Sequence, residues 1–83
     1  MKKLKPRIQP LGNRNCCGAN ITHLRNEKNM KQKELLAQMQ TLGVDINPSS
    51  LSKLEGQTRP AFEQELIALS KIFNITIDEL VKL

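Results

Sequence analysis

Aromatic residues are nearly missing from this sequence of 83 residues. It has no tryptophan and no tyrosine, and its aromatic side chains are Phe62 and Phe73. Proteins that bind single-stranded nucleic acid stack successive bases on exposed rings, so this composition argues against a site of that kind. Both phenylalanines fall on the apolar stripe of one predicted helix, and we expect both to be core residues.

Cysteine and histidine are also scarce. Cys16 and Cys17 are neighbours and cannot join distant segments, which excludes a disulfide scaffold and predicts reduced thiols. With His23 as the single histidine, the ligand spacing matches no structural zinc site. The serines within residues 49–52 lack a second histidine or a glycine-rich turn that would activate a nucleophile. We therefore expect no enzymatic activity, no metal, no cofactor and no small-molecule substrate.

Long apolar runs are absent. No run approaches the roughly 20 residues that a membrane-spanning helix requires, and the basic N-terminus lacks the apolar stretch of a signal peptide. We expect a cytoplasmic protein without membrane association. The length and an apolar fraction of 39% suit one small domain with one core.

Acidic residues are missing from the first 20 positions. The basic residues there carry five positive charges, which equals the net charge of +5 of the whole chain: Lys2, Lys3, Lys5, Arg7 and Arg14. Residues 21–59 carry six basic and four acidic residues, whereas residues 61–83 carry two and four. This polarity predicts that one end of the folded domain meets phosphate and the other does not.

The first 19 residues have the composition of a flexible segment. They contain prolines and glycines and show no apolar periodicity, so we interpret residues 1–19 as a basic arm and residues 20–83 as the folded domain. Two roles for the arm stay open. It is either a solvated tail or a segment that follows the phosphate backbone or enters the minor groove of DNA.

Apolar spacing predicts helices and no strand in the folded domain. The first helix covers about residues 21–28, with Asn20 as its N-cap. The second runs from Gln32 to about residue 40 and ends before Gly43, which is free to adopt a left-handed conformation.

Three further helices are predicted, two from their capping residues and one from an apolar stripe. Asn47-Pro48 is the sharpest boundary, because Asn caps helices and Pro is tolerated at the first helical position, and it predicts a helix over residues 48–55. An apolar stripe predicts the next over residues 62–73. Thr76 then caps a short fifth helix.

Five segments follow one another in an order that is more specific than any of them alone. They are Ile21-Thr22-His23-Leu24-Arg25, Lys31-Gln32-Lys33-Glu34-Leu35, Ser50-Leu51-Ser52-Lys53-Leu54-Glu55-Gly56, Arg59-Pro60 and Ile75-Thr76-Ile77-Asp78-Glu79-Leu80. Together they resemble the phage-repressor and Cro-like helix-turn-helix family over residues 20–83. The resemblance implies an all-α, five-helix lambda-repressor-like domain that binds duplex DNA sequence-specifically as a transcriptional repressor.

The resemblance also implies which residues read the bases. In that family the outward residues at the N-terminal end of the third helix enter the major groove, which here are Pro48, Ser49, Ser52 and Lys53. Lys53 is the long donor suited to guanine. The serines discriminate weakly, and Pro48 offers an apolar contact to a thymine methyl group.

Phosphate contacts are implied at two places. Gln32 opens the second helix, where free N–H groups and the helix dipole favour an anion, and Lys31 and Lys33 flank it. The loop after the third helix supplies the other set: Gln57, Thr58 and Arg59.

The resemblance also implies an architectural ion pair. Arg25 and Glu55 are similar to a pair that ties the first helix to the recognition helix in the family.

The sequence departs from the usual motif in two ways. Residues 32–55 are about five residues longer than the usual motif, and Lys31 replaces the usual Thr or Ser cap. We place the extra length in a longer second helix and in a connector over residues 42–46.

A monomer with so few long donors would bind DNA weakly. We therefore expect a homodimer on half-sites about 34 Å apart, or multiples of that spacing. The resemblance implies that residues near 73–83 join the two copies. The alternative function is a protein-interaction adaptor or antitoxin-like module that keeps the fold without specific operator binding.

Overall fold

The computed structural model describes residues 14–82. Five α-helices follow in chain order: α1 (Gly18–Glu27), α2 (Gln32–Thr41), α3 (Pro48–Glu55), α4 (Glu63–Phe73) and α5 (Ile77–Leu80). Strands are absent from this part of the chain, and the predicted all-α, five-helix fold is confirmed. The flexible-arm prediction falls mainly on residues 1–13, which lie outside the described residues, as does Leu83.

One apolar core joins the helices. α3 packs against α1 and α2, and α4 packs against α2 and α5. Each helix contributes side chains at helical spacing, which is why the apolar periodicity located them. The fully buried large residues are Ile21, Leu35, Met39, Leu51, Leu54, Leu69 and Leu80.

Helix α1 begins earlier than predicted. Its first residue is Gly18, and its N-cap is Cys17, whose own side chain makes no capping bond. The Oδ1 of Asn15 instead accepts hydrogen bonds from the backbone N–H groups of Cys17 (3.1 Å) and Gly18 (2.9 Å). The prediction that Asn20 is the N-cap is wrong. Asn20 lies inside the helix and donates to the carbonyls of Leu80 and Lys82 in the C-terminal segment.

The lengthened turn between α2 and α3 is an ordered connector. Gly43 adopts the predicted left-handed conformation, with φ of 90°. Val44 and Ile46 are buried in the core, and Gln40 Nε2 donates to the Ile46 carbonyl at 2.9 Å. Asn47 then caps α3, because its Oδ1 accepts from the Ser50 N–H at 2.8 Å.

Phe62 is not a core residue, which corrects the sequence prediction. It directly precedes α4, and 60% of its surface is exposed. Glu65 is buried instead, because its carboxylate accepts hydrogen bonds from the Phe62 N–H (2.9 Å) and from Arg59. The Phe62 ring lies outside this cluster, with the Arg59 guanidinium 5.6 Å from its centre.

Candidate nucleic-acid interface

Helix α3 has one buried side and one exposed side. Leu51 and Leu54 point into the core, as helical spacing requires. The four residues predicted to contact bases are all exposed on the other side: Pro48, Ser49, Ser52 and Lys53. The Asn47 cap and Pro48 start the helix at a defined residue, so the exposed side has a fixed register on the core.

The start of α2 lies beside this exposed side. The Ser52 hydroxyl donates to Gln32 Oε1 at 3.2 Å, which joins a predicted phosphate contact to a predicted base contact. The bond uses the amide oxygen of Gln32, so its NH2 group is the part that can donate to a phosphate. Lys31 and Lys33 are exposed on either side of Gln32.

A further lysine near α2 has no role in the sequence prediction. Lys28 is the exposed C-cap residue of α1, three positions before Lys31 in the turn that leads to α2. Because the turn is short and exposed, Lys28 adds positive charge to the end of the domain that carries Lys31 and Lys33. A net-charge count over residues 21–59 includes this charge but does not identify its position.

The loop after α3 differs from the predicted phosphate-binding loop. Gln57 is 1% exposed and has a positive φ of 63°, so its side chain belongs to the core and the prediction that it contacts DNA is contradicted. Thr58 is exposed, and its hydroxyl donates to the Lys53 carbonyl at 3.2 Å. Thr58 is therefore the exposed residue among these three and lies against the last turn of α3.

Arg59 is committed to contacts inside the domain. Its guanidinium pairs with both carboxylate oxygens of Glu65, at 2.9 and 2.7 Å, and its Nε donates to the Ser50 carbonyl at 2.9 Å. A bidentate pair with a buried carboxylate neutralises the charge that a phosphate would need. We therefore revise the phosphate role predicted for Arg59 to that of a brace between α3 and α4.

The predicted pair of Arg25 and Glu55 is present. Arg25 Nε and Nη2 donate to the two oxygens of Glu55 at 3.1 and 3.0 Å, and Nη1 donates to the Met30 carbonyl at 2.9 Å. Thr22 donates a third hydrogen bond to Glu55, at 3.0 Å. The C-terminal end of α3 is thus held by two side chains of α1.

The two cysteines are free thiols. Cys17 is buried where the N-terminal segment meets the domain, and this burial, with the nearby Cys16 sulfur, raises the pKa of its thiol to about 11. A thiol with such a pKa is unreactive at neutral pH. Over residues 14–82 no group of three or more metal-ligating side chains comes together, and no helix is long and apolar enough to cross a bilayer.

Comparisons with known proteins agree with this geometry. Searches of curated proteins and of solved structures gave no significant match. A family model described as the Cro/C1-type HTH DNA-binding domain matches residues 20–83. The match covers all five helices apart from the first two residues of α1. The chain therefore belongs to the Cro/C1-type helix-turn-helix DNA-binding family.

Proposed function

We propose that this domain is a transcriptional repressor that binds duplex DNA sequence-specifically, with the recognition helix α3 in the major groove. The observation that carries the proposal is the two-sided character of α3. Its inward side chains are buried against the other helices, and its four predicted base-contacting side chains are exposed. A short helix of this kind fits a groove about 12 Å wide.

The chemistry of the exposed side chains limits what they can read. Lys53 is a long donor, and guanine O6 and N7 are acceptors in the major groove. Ser49 is a short group that can donate or accept, and Ser52 already donates to Gln32. Pro48 can contact a thymine methyl group. The proposed half-site therefore contains one strongly specified guanine and weaker preferences beside it.

Phosphate contacts come from a revised set of residues. It keeps Gln32, Lys31 and Lys33 at the start of α2 and Thr58 after α3, and it adds Lys28. The α2 N-terminus contributes its free N–H groups and the positive end of its dipole. These contacts set the orientation of the domain on DNA and carry no sequence information themselves.

The proposal includes a two-fold dimer on half-sites about 34 Å apart, or a multiple of that spacing. Within residues 73–83, Phe73 and Leu80 are buried in the core. Over the described residues 73–82, Ile77 is the most exposed large apolar side chain, at 38%, and we propose that it contacts a second copy. As the family resemblance implies, the proposed repressor is bacterial or phage in origin and acts in the cytoplasm.

Selection of bound sites from random duplex DNA tests this function. Affinity for the selected duplex is then measured across a salt series. A sequence-specific binder loses affinity steeply as salt rises and still prefers the selected duplex. Recovery of no common sequence, with weak and equal retention of all duplexes, would overturn the proposal.

A groove on another surface favours a protein-interaction adaptor as the second candidate. The groove lies between the connector and α4 and has a volume of about 280 Å³. It is lined by Leu42, Gly43, Val44, Gln64, Ile67, Ala68 and Lys71. Leu42 and Ile67 are 47% and 38% exposed, and adjacent exposed apolar side chains are typical of interaction surfaces. An adaptor would retain every duplex weakly in the same salt series.

A further inference from the structure

Asn15 links three separate parts of the domain through one side chain. Its Oδ1 accepts from the N–H groups of Cys17 and Gly18, which caps α1. Its Nδ2 donates to the carbonyls of Leu54 (3.1 Å) and Arg59 (2.7 Å). The Cys17 thiol is a third, longer donor to the amide oxygen, at 3.5 Å. With two acceptors at the NH2 group, all four hydrogen-bonding positions of the amide are matched.

The two carbonyls that Asn15 holds belong to the interface region. Leu54 is the next-to-last residue of α3, and Arg59 lies in the loop that follows it. The last carbonyls of a helix have no partner within the helix. The Leu54 carbonyl accepts from the Gln57 N–H at 3.1 Å and from Asn15, so Asn15 supplies its second donor and joins the loop to the same point.

The backbone of α1 approaches α3 closely at this point. A Cβ atom placed on Gly18 would lie 2.5 Å from the Leu54 carbonyl oxygen and 2.6 Å from that of Glu55. The N-terminal end of α1 therefore faces the C-terminal end of α3, and the two helix dipoles attract each other. Glycine at this position permits the approach, and Asn15 fixes it.

We propose that Asn15 is a positioning residue for DNA recognition, which sets the orientation of α3 and its following loop without touching DNA. This inference rests on the proposed function. α3 is held at its C-terminal end by Asn15, Thr22 and Arg25 and nearer its start by the hydrogen bond from Arg59 to the Ser50 carbonyl, and its base-contacting side is exposed. Loss of the Asn15 contacts would change the angle of α3 and move Ser49 and Lys53 relative to the base edges.

Asn15→Ser is the informative variant. A serine hydroxyl still caps α1, but it cannot donate to Leu54 and Arg59 together. Asn20→Ser is the matched control, since Asn20 is an asparagine of α1 whose Nδ2 also donates to two carbonyls, those of Leu80 and Lys82. Each substitution removes an NH2 group that binds two carbonyls, and Asn15→Ser alone removes a contact to α3.

Two readouts separate positioning from general stability. The first is the ratio of affinities for the selected duplex and for duplexes altered at single base pairs. A lower folded fraction weakens all duplexes equally and leaves this ratio unchanged. The second is the set of backbone amide chemical shifts of residues 49–53 in the absence of DNA.

We expect Asn15→Ser to lower the preference ratio about tenfold and to shift the α3 amides, and Asn20→Ser to do neither. A folded Asn15→Ser variant with the parent ratio would overturn the inference, even with reduced stability. Should Asn15→Ser be unfolded, Asn15→Asp replaces it, because a carboxylate keeps the cap and loses the donors. A parent chain without a preferred duplex would refute the proposed function, and the α3 amide shifts alone would then decide whether Asn15 positions α3.

Discussion

The arginines and lysines of the described domain have different tasks. Arg25 and Arg59 each make a bidentate pair with a buried glutamate, Glu55 and Glu65 respectively. The planar guanidinium suits such a pair, whereas an ammonium group is a flexible point charge that remains hydrated. The cations that we propose for phosphate contacts are accordingly exposed lysines near α2, such as Lys31.

Loss of Glu55 is expected to leave the partly buried guanidinium of Arg25 without a counter-charge. Glu55→Ala leaves Arg25 and Thr22 without their partner, and we expect the free energy of unfolding to fall by about 3–5 kcal/mol. The double variant Arg25→Met/Glu55→Met should be more stable than Glu55→Ala, because it removes both charges. Urea denaturation measures the free energy of unfolding of both variants.

Glu63→Ala is the control for this substitution, since Glu63 is an exposed glutamate in the first turn of α4. Its removal should cost less than about 1 kcal/mol. Equal losses for Glu55→Ala and Glu63→Ala would contradict the account of the Arg25–Glu55 pair.

The buried thiol of Cys17 predicts a loss of stability at high pH. Its pKa rises from 9.0 to about 11 in the folded domain. The unfolded chain therefore releases this proton at lower pH than the folded one. The stability that the protonated Cys17 thiol contributes to the folded state is complete below pH 9 and is lost between pH 9 and about 11. Under reducing conditions, unfolding free energies at pH 8 and pH 10.5 should differ more for the parent than for Cys17→Ala. An equal change in unfolding free energy between the two pH values for the parent and for Cys17→Ala would refute this prediction.

At the scale of elements, helix starts depend on local side-chain caps. α3 begins where Asn47 accepts the Ser50 N–H and Pro48 occupies the first helical position. Asn47→Ala should lower the free energy of unfolding by about 1 kcal/mol and loosen the first turn of α3. Hydrogen exchange of the Ser50 and Leu51 amides measures the loosening. The exposed Ser49→Ala is the control, and equal protection in the two variants would contradict the role of Asn47.

Local signals explain why most of the fold could be predicted from the sequence. The Asn47-Pro48 boundary, the Thr76 cap and the left-handed Gly43 each depend on residues within three positions, and the structure contains all three. The start of α1 was predicted wrongly because the contacts that distinguish Asn15 from Asn20 are distant, although the bonds from Asn15 to α1 are local. Asn15 bonds to residues 39 and 44 positions away, and Asn20 to residues 60 and 62 positions away.

The same reasoning separates the site residues that could be predicted from those that could not. Helical spacing identified the exposed side of α3, because the apolar residues fix which side is buried. In the loop after α3, the family resemblance implied three phosphate contacts. Burial of Gln57 and the pairing of Arg59 with Glu65 depend on how α1 and α4 pack around that loop, which no local pattern encodes.

At the scale of the whole molecule, the two parts of the folded domain carry opposite net charges. Residues 21–59 have a net charge of +2, from six basic and four acidic residues, and residues 61–83 have −2, from two basic and four acidic residues. The first group includes α2 and α3, and the second includes α4 and α5. An orientation with α3 toward DNA therefore turns the acidic half away from the phosphates and favours one docking direction.

The most direct test of α3 as the reading element compares two lysines that carry the same charge. Lys53 is exposed on α3, and Lys71 is exposed on α4. Affinity is measured for the selected duplex and for duplexes in which each base pair is changed in turn. Lys53→Ala should lose about 1–3 kcal/mol of discrimination at one guanine position, and Lys71→Ala should keep the parent preference at every position. A Lys53→Ala variant that discriminates as well as the parent at all positions would contradict the account.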